Sequence, residues 1–290
     1  MGLFSGLEKM GLGKLNKLEV FEEDTAKKGA KKGEESQQAS KPKVTEEDLL
    51  FDKSYTCPVC NNEFHSKMIR TGKVKLLSAD TDLRPKYQLV DSLKYDALVC
   101  PSCGYAALSR FFKFMMPAQA KLIRENITKN FSGLPQTGGT YTYDDAILRH
   151  QLALANAVVK KAKTSEKAYT CLKMAWLYRG KAENLPKDSK DYQTQIIELK
   201  KQELELLKNA CEGFKSAYSK ETFPMCGMDE ITMMYLIADL CRRIGHFDES
   251  KRWISSVLTS RGANERIKNK ARDLKDMVEK DVERLSKVKH

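Results

Sequence analysis

Eight of the 290 residues are cysteine, and four of these form two Cys-x-x-Cys pairs, Cys57-Pro58-Val59-Cys60 and Cys100-Pro101-Ser102-Cys103. Two such pairs can set four thiolates at the corners of a tetrahedron, which Zn²⁺ accepts readily because it has no d-electron preference of geometry. Two residues between the cysteines let the chain turn tightly and aim both sulfurs, with nearby N–H groups, at one ion. Proline after the first cysteine of each pair fixes φ, and Gly104 after the second pair tolerates positive φ. Cys57, Cys60, Cys100 and Cys103 are therefore the candidate ligands of one metal ion per chain. Zinc is the first expectation. A single iron is the alternative, since two such knuckles also suit an iron–thiolate electron-transfer centre. Four cysteines saturate a tetrahedral site, so His65 reads as a surface or packing histidine.

Nothing else along the chain has the spacing of a reaction centre. Asp80, Asp82, Asp91 and Asp96 have no clustered histidine or phosphate-binding loop beside them and read as turn and strand-end residues. Gly133, Gly138 and Gly139 follow no strand and precede no Lys-Ser or Lys-Thr, so they mark a loop. With no nucleophile–base pair and no open metal position, the chain reads as a protein that is not an enzyme.

The elements that must position the cysteines are short. Lys73–Leu77 and Tyr95–Val99 are β-like, and the second runs straight into Cys100, as in a zinc ribbon whose metal replaces a core too small to hold itself. Lys67, Arg70, Lys73 and Lys75 make the first run basic. That stretch could bind nucleic acid, or could offset the net charge of −2 on a four-thiolate zinc site. A helix is expected from Ser109 to Asn130, with Phe111, Phe112, Phe114, Met115 and Met116 joining the ribbon to the helical part of the chain.

Beyond a loop at 131–140 the pattern is helical and repeats. Met234, Ile237, Ala238 and Cys241 fit the first helix of a tetratricopeptide-like unit, Gly245 and Phe247 its turn, and Ser250, Ile254 and Val257 its second helix. An earlier unit has Cys171, Met174, Ala175 and Tyr178 on one helix and Ala210, Phe214 and Ala217 on its mate. An insertion between these halves extends the second helix, with a stripe of Ile197, Leu204, Cys211 and Tyr218. A preceding helix at about 144–163 and a last one at about 264–287 close the stack. In such a stack the first helices line the concave side, so Tyr178, Arg179, Tyr235, Arg242 and Arg243 are the candidate partner-binding residues, suited to an acidic peptide. Cys226, in the Phe223–Gly227 loop, is the one unpaired thiol to test for reactivity.

Residues 1–21 recur loosely at helical spacing, but four glycines weaken them, so they should fold only against the protein's own body, a partner or a membrane surface. The stack's own groove is one such place. Gly6 stands where N-myristoylation needs Ser or Thr. Residues 22–48 hold almost nothing to bury and read as a flexible linker. Lysine and arginine number 51 against 39 acidic residues, a net charge of +12. No apolar run is long enough to cross a membrane and no signal peptide opens the chain, so a reducing cytoplasm is expected.

The string Tyr95-Asp96-Ala97-Leu98-Val99-Cys100-Pro101-Ser102-Cys103-Gly104-Tyr105-Ala106, with Cys57-Pro58-Val59-Cys60 and Asp80-Thr81-Asp82 upstream, is similar to the signature of an uncharacterised bacterial family, the domain of unknown function 2225. The likeness extends over roughly residues 50–260. Asn61 stands where a glycine commonly follows the first knuckle. The resemblance implies a bacterial cytoplasmic protein with a zinc-ribbon-like part and tetratricopeptide-like helices, and implies no activity.

The expected fold is α+β, mainly α. A zinc-ribbon-like domain with a trailing helix covers 49–130, and a tetratricopeptide-like helical domain covers 141–290 and should stay folded without metal. The expected function is a non-catalytic, zinc-stabilised adaptor that binds a protein or peptide through its helices. The alternatives are a nucleic-acid-binding zinc-ribbon protein and an iron–thiolate electron carrier.

Overall fold

The structure is a computed structural model that describes residues 5–13, 44–189 and 191–288. Most of the expected linker and the second half of the N-terminal segment, residues 14–43, lie outside the described residues. The fold is α+β and mainly α: three small antiparallel hairpins followed by a stack of helices.

The hairpins are β1 (Leu50–Thr56) with β2 (Glu63–Ile69), β3 (Leu76–Ala79) with β4 (Pro85–Tyr87), and β5 (Ala97–Val99) with β6 (Ala106–Leu108). The registers Thr56↔Glu63 and Val99↔Ala106 put each Cys-x-x-Cys pair in the turn of its own hairpin. Both β-like runs begin later than the sequence suggests. Residues 71–73 and 92–95 are 3₁₀ turns, so β3 starts at Leu76 and β5 at Ala97. The helix expected over Ser109–Asn130 is shorter. Turns occupy the aromatic stretch and α1 runs Pro117–Asn126, opened by a proline whose missing N–H costs nothing at a first helical position.

The remaining helices are α2 (Tyr143–Val159), α3 (Thr164–Glu183), α4 (Tyr192–Lys220), α5 (Glu230–Arg243), α6 (Phe247–Thr259) and α7 (Glu265–Val288). Thr142 and Asp145 form a reciprocal capping box at the start of α2, and Asp229 accepts from the Thr232 N–H at the start of α5; each satisfies N–H groups that a helix start leaves without partners. Gly245, at φ +85°, ends α5. The small residues expected between α5 and α6 do bring them close: Ala238 and Ser250 are both fully buried, and the Ser250 hydroxyl donates to the Ala238 carbonyl at 2.8 Å.

α4 departs from its expected stripe. Ile197 is 63 % exposed, while Ile196, Leu199, Leu206 and Leu207 face inward with Ala210, Cys211, Phe214 and Ala217. A strict seven-residue spacing drifts by about 20° per heptad around a straight helix, so it leaves the buried face within a few turns.

Helices α2 to α5 share their core with the hairpin region. One buried cluster includes Cys57, Leu98, Cys100, Tyr105 and Phe112 from the hairpin region together with Leu152, Cys171, Leu177, Phe214 and Ile237 from α2 to α5. A second cluster joins α5, α6 and α7 through Tyr235, Ile254, Leu274 and Val278. The described N-terminal residues join the first: Leu7, Met10 and Leu12 are almost fully buried. They lie on α2 and the 130–132 turn, where the Ser132 N–H donates to the Met10 carbonyl at 3.0 Å and Gly6 abuts Leu148 and Gln151. The segment thus docks on the protein itself, away from the expected groove.

Candidate metal centre

The two knuckles are built alike. The Cys57 and Cys100 N–H groups donate to Asn62 and Tyr105 carbonyls at 3.0 and 2.8 Å, and the Asn61 and Gly104 N–H groups donate back to the Cys57 and Cys100 carbonyls at 2.9 and 3.0 Å. Closing the turn this way needs positive φ at its fifth residue. Gly104 has φ +72° and Asn61 has φ +59°, asparagine being among the few other residues that enter the left-handed region readily. Its replacement of the usual glycine therefore leaves the knuckle intact. At Gly104 glycine is also required by space, because a Cβ there would lie 2.6 Å from the Phe131 ring.

The fold brings all four predicted ligands together. Their sulfurs lie within 4.8 Å of one another, with Cys57–Cys103 and Cys60–Cys100 each 3.6 Å apart. A tetrahedron with metal–sulfur bonds of about 2.3 Å has edges of roughly 3.8 Å, so the cage matches a zinc- or iron-sized ion. The Val59 and Cys60 N–H groups face the Cys57 sulfur, and those of Ser102 and Cys103 face Cys100. Bonding to Cys100 pushes the Cys57 thiol up, while hydrogen bonds from Cys103 and Cys57 hold Cys100 down. Four thiolates this close would repel one another without a cation between them, so the cluster could hold a metal ion. His65 is exposed on β2, faces Ser54 at 3.1 Å and is not in the cluster.

Helical residues grip the knuckles from outside. Arg124 donates to the Val59 carbonyl at 3.0 Å, Thr128 to the Cys103 carbonyl at 3.0 Å, and the buried Asn156 of α2 to the Gly104 carbonyl at 3.1 Å.

The five residues expected to line an open groove are placed differently. Tyr235 is 3 % exposed, Tyr178 packs on the core, and the three arginines are largely buried and already paired. The β3–β4 turn occupies Arg179 and reaches Arg243, while carboxylates of α5 and α7 hold Arg242. Arg179 makes a two-point contact with Asp82, Nη1–Oδ1 3.1 Å and Nη2–Oδ2 2.6 Å, and reaches Asp80 at 3.0 Å and Glu203 at 2.7 Å. Arg243 bonds Asp239 at 2.7 Å and the Thr81 hydroxyl at 2.8 Å. Arg242 bonds Asp239 and Asp281, each at 2.8 Å. The Trp176 indole N–H donates to Asp82 at 3.0 Å. Asp82 is fully buried: burial alone would raise its carboxyl, but Arg243 and Arg179 more than offset that and hold it well below the usual carboxylate range.

Arg84, from the same turn, adds an ion pair to Glu183 at 2.9 Å. Asp80, Thr81 and Asp82 belong to the family-like string; Asp80 also pairs locally with Lys86 at 2.9 Å, but the partners of the turn on α3 and α5 lie about a hundred residues and more away, beyond the reach of any local spacing rule. Asp91 caps the Leu93 N–H, and Asp96 pairs with Ser109 at 2.6 Å and Lys173 at 3.2 Å.

Of the four basic residues suited to nucleic acid, Lys67 lies 3.8 Å from Asp52 and Arg70 donates to the Leu50 carbonyl, while Lys73 and Lys75 are exposed. Cys226 is buried, and its thiol donates to the Ser165 carbonyl at 3.3 Å.

The sequence profile of a family of uncharacterised proteins conserved in bacteria (DUF2225) matches residues 50–278. The chain belongs to that family. The matched span holds both knuckles, the Asp80–Asp82 turn and the helices through most of α7. No curated protein and no solved structure matches this chain. Among the described residues no helix is long and apolar enough to cross a membrane.

Proposed function

We propose that the protein is a non-catalytic scaffold of the bacterial cytoplasm in which one zinc ion locks two knuckles against a short tetratricopeptide-like stack, and that it works by presenting surface to another protein. The observation that carries this reading is the cage itself: four sulfurs within 4.8 Å saturate a tetrahedral ion and leave no position for a substrate or an activated water. Zinc is taken as the first ion and a single iron as the alternative, since the contacts from Arg124, Thr128 and Asn156 would fix the cage around either. The close α5–α6 approach through Ala238 and Ser250 supports the tetratricopeptide-like character of the stack. The arginine ridge is used within the chain, so the presented surface lies elsewhere.

Metal analysis of reduced, freshly purified protein should give one zinc per chain and a colourless solution; a red solution that bleaches on reduction would assign iron and electron transfer. Cross-linking in the native host should recover one recurrent protein partner. A chain that cross-links to no protein would overturn the scaffold reading.

A further inference from the structure

We infer that the free edge of β3 is a docking strand for an extended segment of another protein in which apolar and acidic side chains alternate. The inference rests on the scaffold reading and names the surface on which the scaffold acts. β3 pairs with β4 on one side, and no strand lies on its other side among the described residues. All four residues of β3 are exposed, Leu76 at 53 % and Leu77 at 60 %. An edge of this kind is a template for another chain, and proteins ordinarily blunt it with charge, proline or a covering element. Here Pro85 blunts β4, whereas β3, although short and irregular at Leu77 where its register with β4 shifts, carries two adjacent exposed leucines.

A third leucine points the same way. Leu89, just past β4, is 58 % exposed and sits at φ +68°, a left-handed conformation that is costly for a residue with a side chain. A strained backbone that holds a leucine in water returns nothing to the chain's own core.

The hairpin is also held in place. Its turn is anchored by Asp82 on Arg179 and Arg243, and its base by Val74 and Tyr87 packing on Leu49, Val90 and Tyr141. Little ordering entropy is then left for an incoming strand to overcome.

Charge selects the occupant. No acidic residue occurs from Phe64 through Ala79, and Lys73 and Lys75 are exposed where β3 begins. A second copy would bring the same lysines to the same edge, whereas a strand carrying carboxylates would pair with them. Main-chain hydrogen bonds supply the affinity in such strand addition, and the side chains supply the choice of partner.

Two synthetic peptides, one alternating glutamate with valine and one alternating lysine with valine, test this on the intact, metal-loaded protein by residue-resolved amide hydrogen exchange. The glutamate peptide should slow exchange across Leu76–Ala79 by about tenfold or more, and the lysine peptide should not. Leu77→Asp and Lys75→Glu should each remove that protection while leaving the melting temperature unchanged. No slowing by the glutamate peptide, equal slowing by both, or slowing confined to other elements would overturn the inference. A dimer in sedimentation that Leu77→Asp dissolves would also overturn it, giving the edge to a second copy. Cross-linking to the host partner that persists undiminished in Leu77→Asp would sink the docking strand and leave the scaffold reading standing.

Discussion

The four-cysteine cage and the Asp82–arginine latch both tie a hairpin turn to helices, and they do so with opposite chemistry. In the cage the groups would repel once ionised: four thiolates with sulfurs 3.6 Å apart would need between them a cation that the chain must obtain from outside. In the latch the chain supplies both signs, with the fully buried Asp82 facing Arg179 and Arg243. One anchor therefore answers to metal supply and the other to pH. A buried ion pair contributes modestly to net stability because desolvation opposes it, yet removing one partner is expensive. The two anchors should fail under different conditions.

The largest expected effect tests the cage. Binding of a structural zinc is worth about 10–16 kcal/mol in small zinc-finger peptides, comparable with the whole stability of a typical domain, about 5–15 kcal/mol. Cys100→Ser should abolish metal binding. Because Cys100 shares a buried cluster with Leu152 and Leu177, it should also lower the melting of α2 and α3, not of the hairpins alone. Metal content and helical circular dichroism read both. A helical transition at the wild-type temperature would mean that the helices stand independently after all.

Next comes the latch. Asp82→Asn keeps the shape and removes the charge, leaving Arg179 and Arg243 short of a counter-ion at a cost of about 3–5 kcal/mol. The variant should melt lower with its metal content unchanged. The wild-type carboxyl is held below its unfolded value near 3.9, so its contribution is complete above that value and is lost as pH falls through the depressed folded one. In acid, wild type and variant should therefore converge. Arg242→Glu, which would place like charge beside Asp239 and Asp281, should destabilise as well; an unchanged melting temperature would return that arginine to the role of a free ligand contact.

These anchors differ as much in legibility as in chemistry. Cys-x-x-Cys is a local spacing whose geometry a tight turn almost dictates, so all four ligands can be named from the chain. Ala238, Gly245 and Ser250 likewise encode a close helix pair within a few turns. The latch offers no such pattern. Arg179 and Asp82 are far apart in the chain, and an arginine on a helix face looks the same whether it meets solvent, a partner or the chain's own turn. Leu7 and Met10 are hidden for a related reason: glycines weaken the local signal, and only tertiary packing on α2 orders the segment. The helix around the aromatic stretch is shorter than its pattern suggests because burial of Phe112 comes from a turn packed on Tyr55, Phe64 and Tyr105, which periodicity alone does not distinguish from a helix.

A buried histidine gives a smaller effect, in a pH window of its own. His150 is fully buried on α2; its Nδ1 lies 2.7 Å from the Ala146 carbonyl, which fixes that nitrogen as the protonated donor. Burial depresses the imidazole to about 4, and Lys173 and Arg149 act in the same direction while Asp96 and the Ala146 carbonyl act against it. A folded value below the unfolded 6.5 means the unfolded chain binds the proton first. Stability from this group is thus complete above about 6.5 and declines as pH falls toward 4, by about 3 kcal/mol at the lower limit. Urea midpoints at pH 7 and pH 4.5 should differ less in His150→Gln than in wild type. Equal differences would show that the buried imidazole does not carry the acid sensitivity between these two pH values.

The smallest effect concerns the thiols outside and inside the cage. Cys226 lies in a turn whose carbonyl accepts from Arg110, and its own thiol is pushed up to about 12, first by burial. The thiolate is the reactive form, so iodoacetamide at neutral pH should leave Cys226 unmodified in the folded, metal-loaded protein, and Cys226→Ser should change stability little. Cys60 is the exposed member of the cage. While the ion holds its sulfur it should also resist alkylation. After chelation it should be the first cysteine labelled, ahead of Cys57, Cys100 and Cys103, which are buried. Peptide mass mapping before and after chelation separates the two cases. Early labelling of Cys226 would show that its loop opens readily. Labelling of Cys60 in the metal-loaded protein would show that the cage is held by fewer than four sulfurs, which would also reopen the metal's fourth position to chemistry.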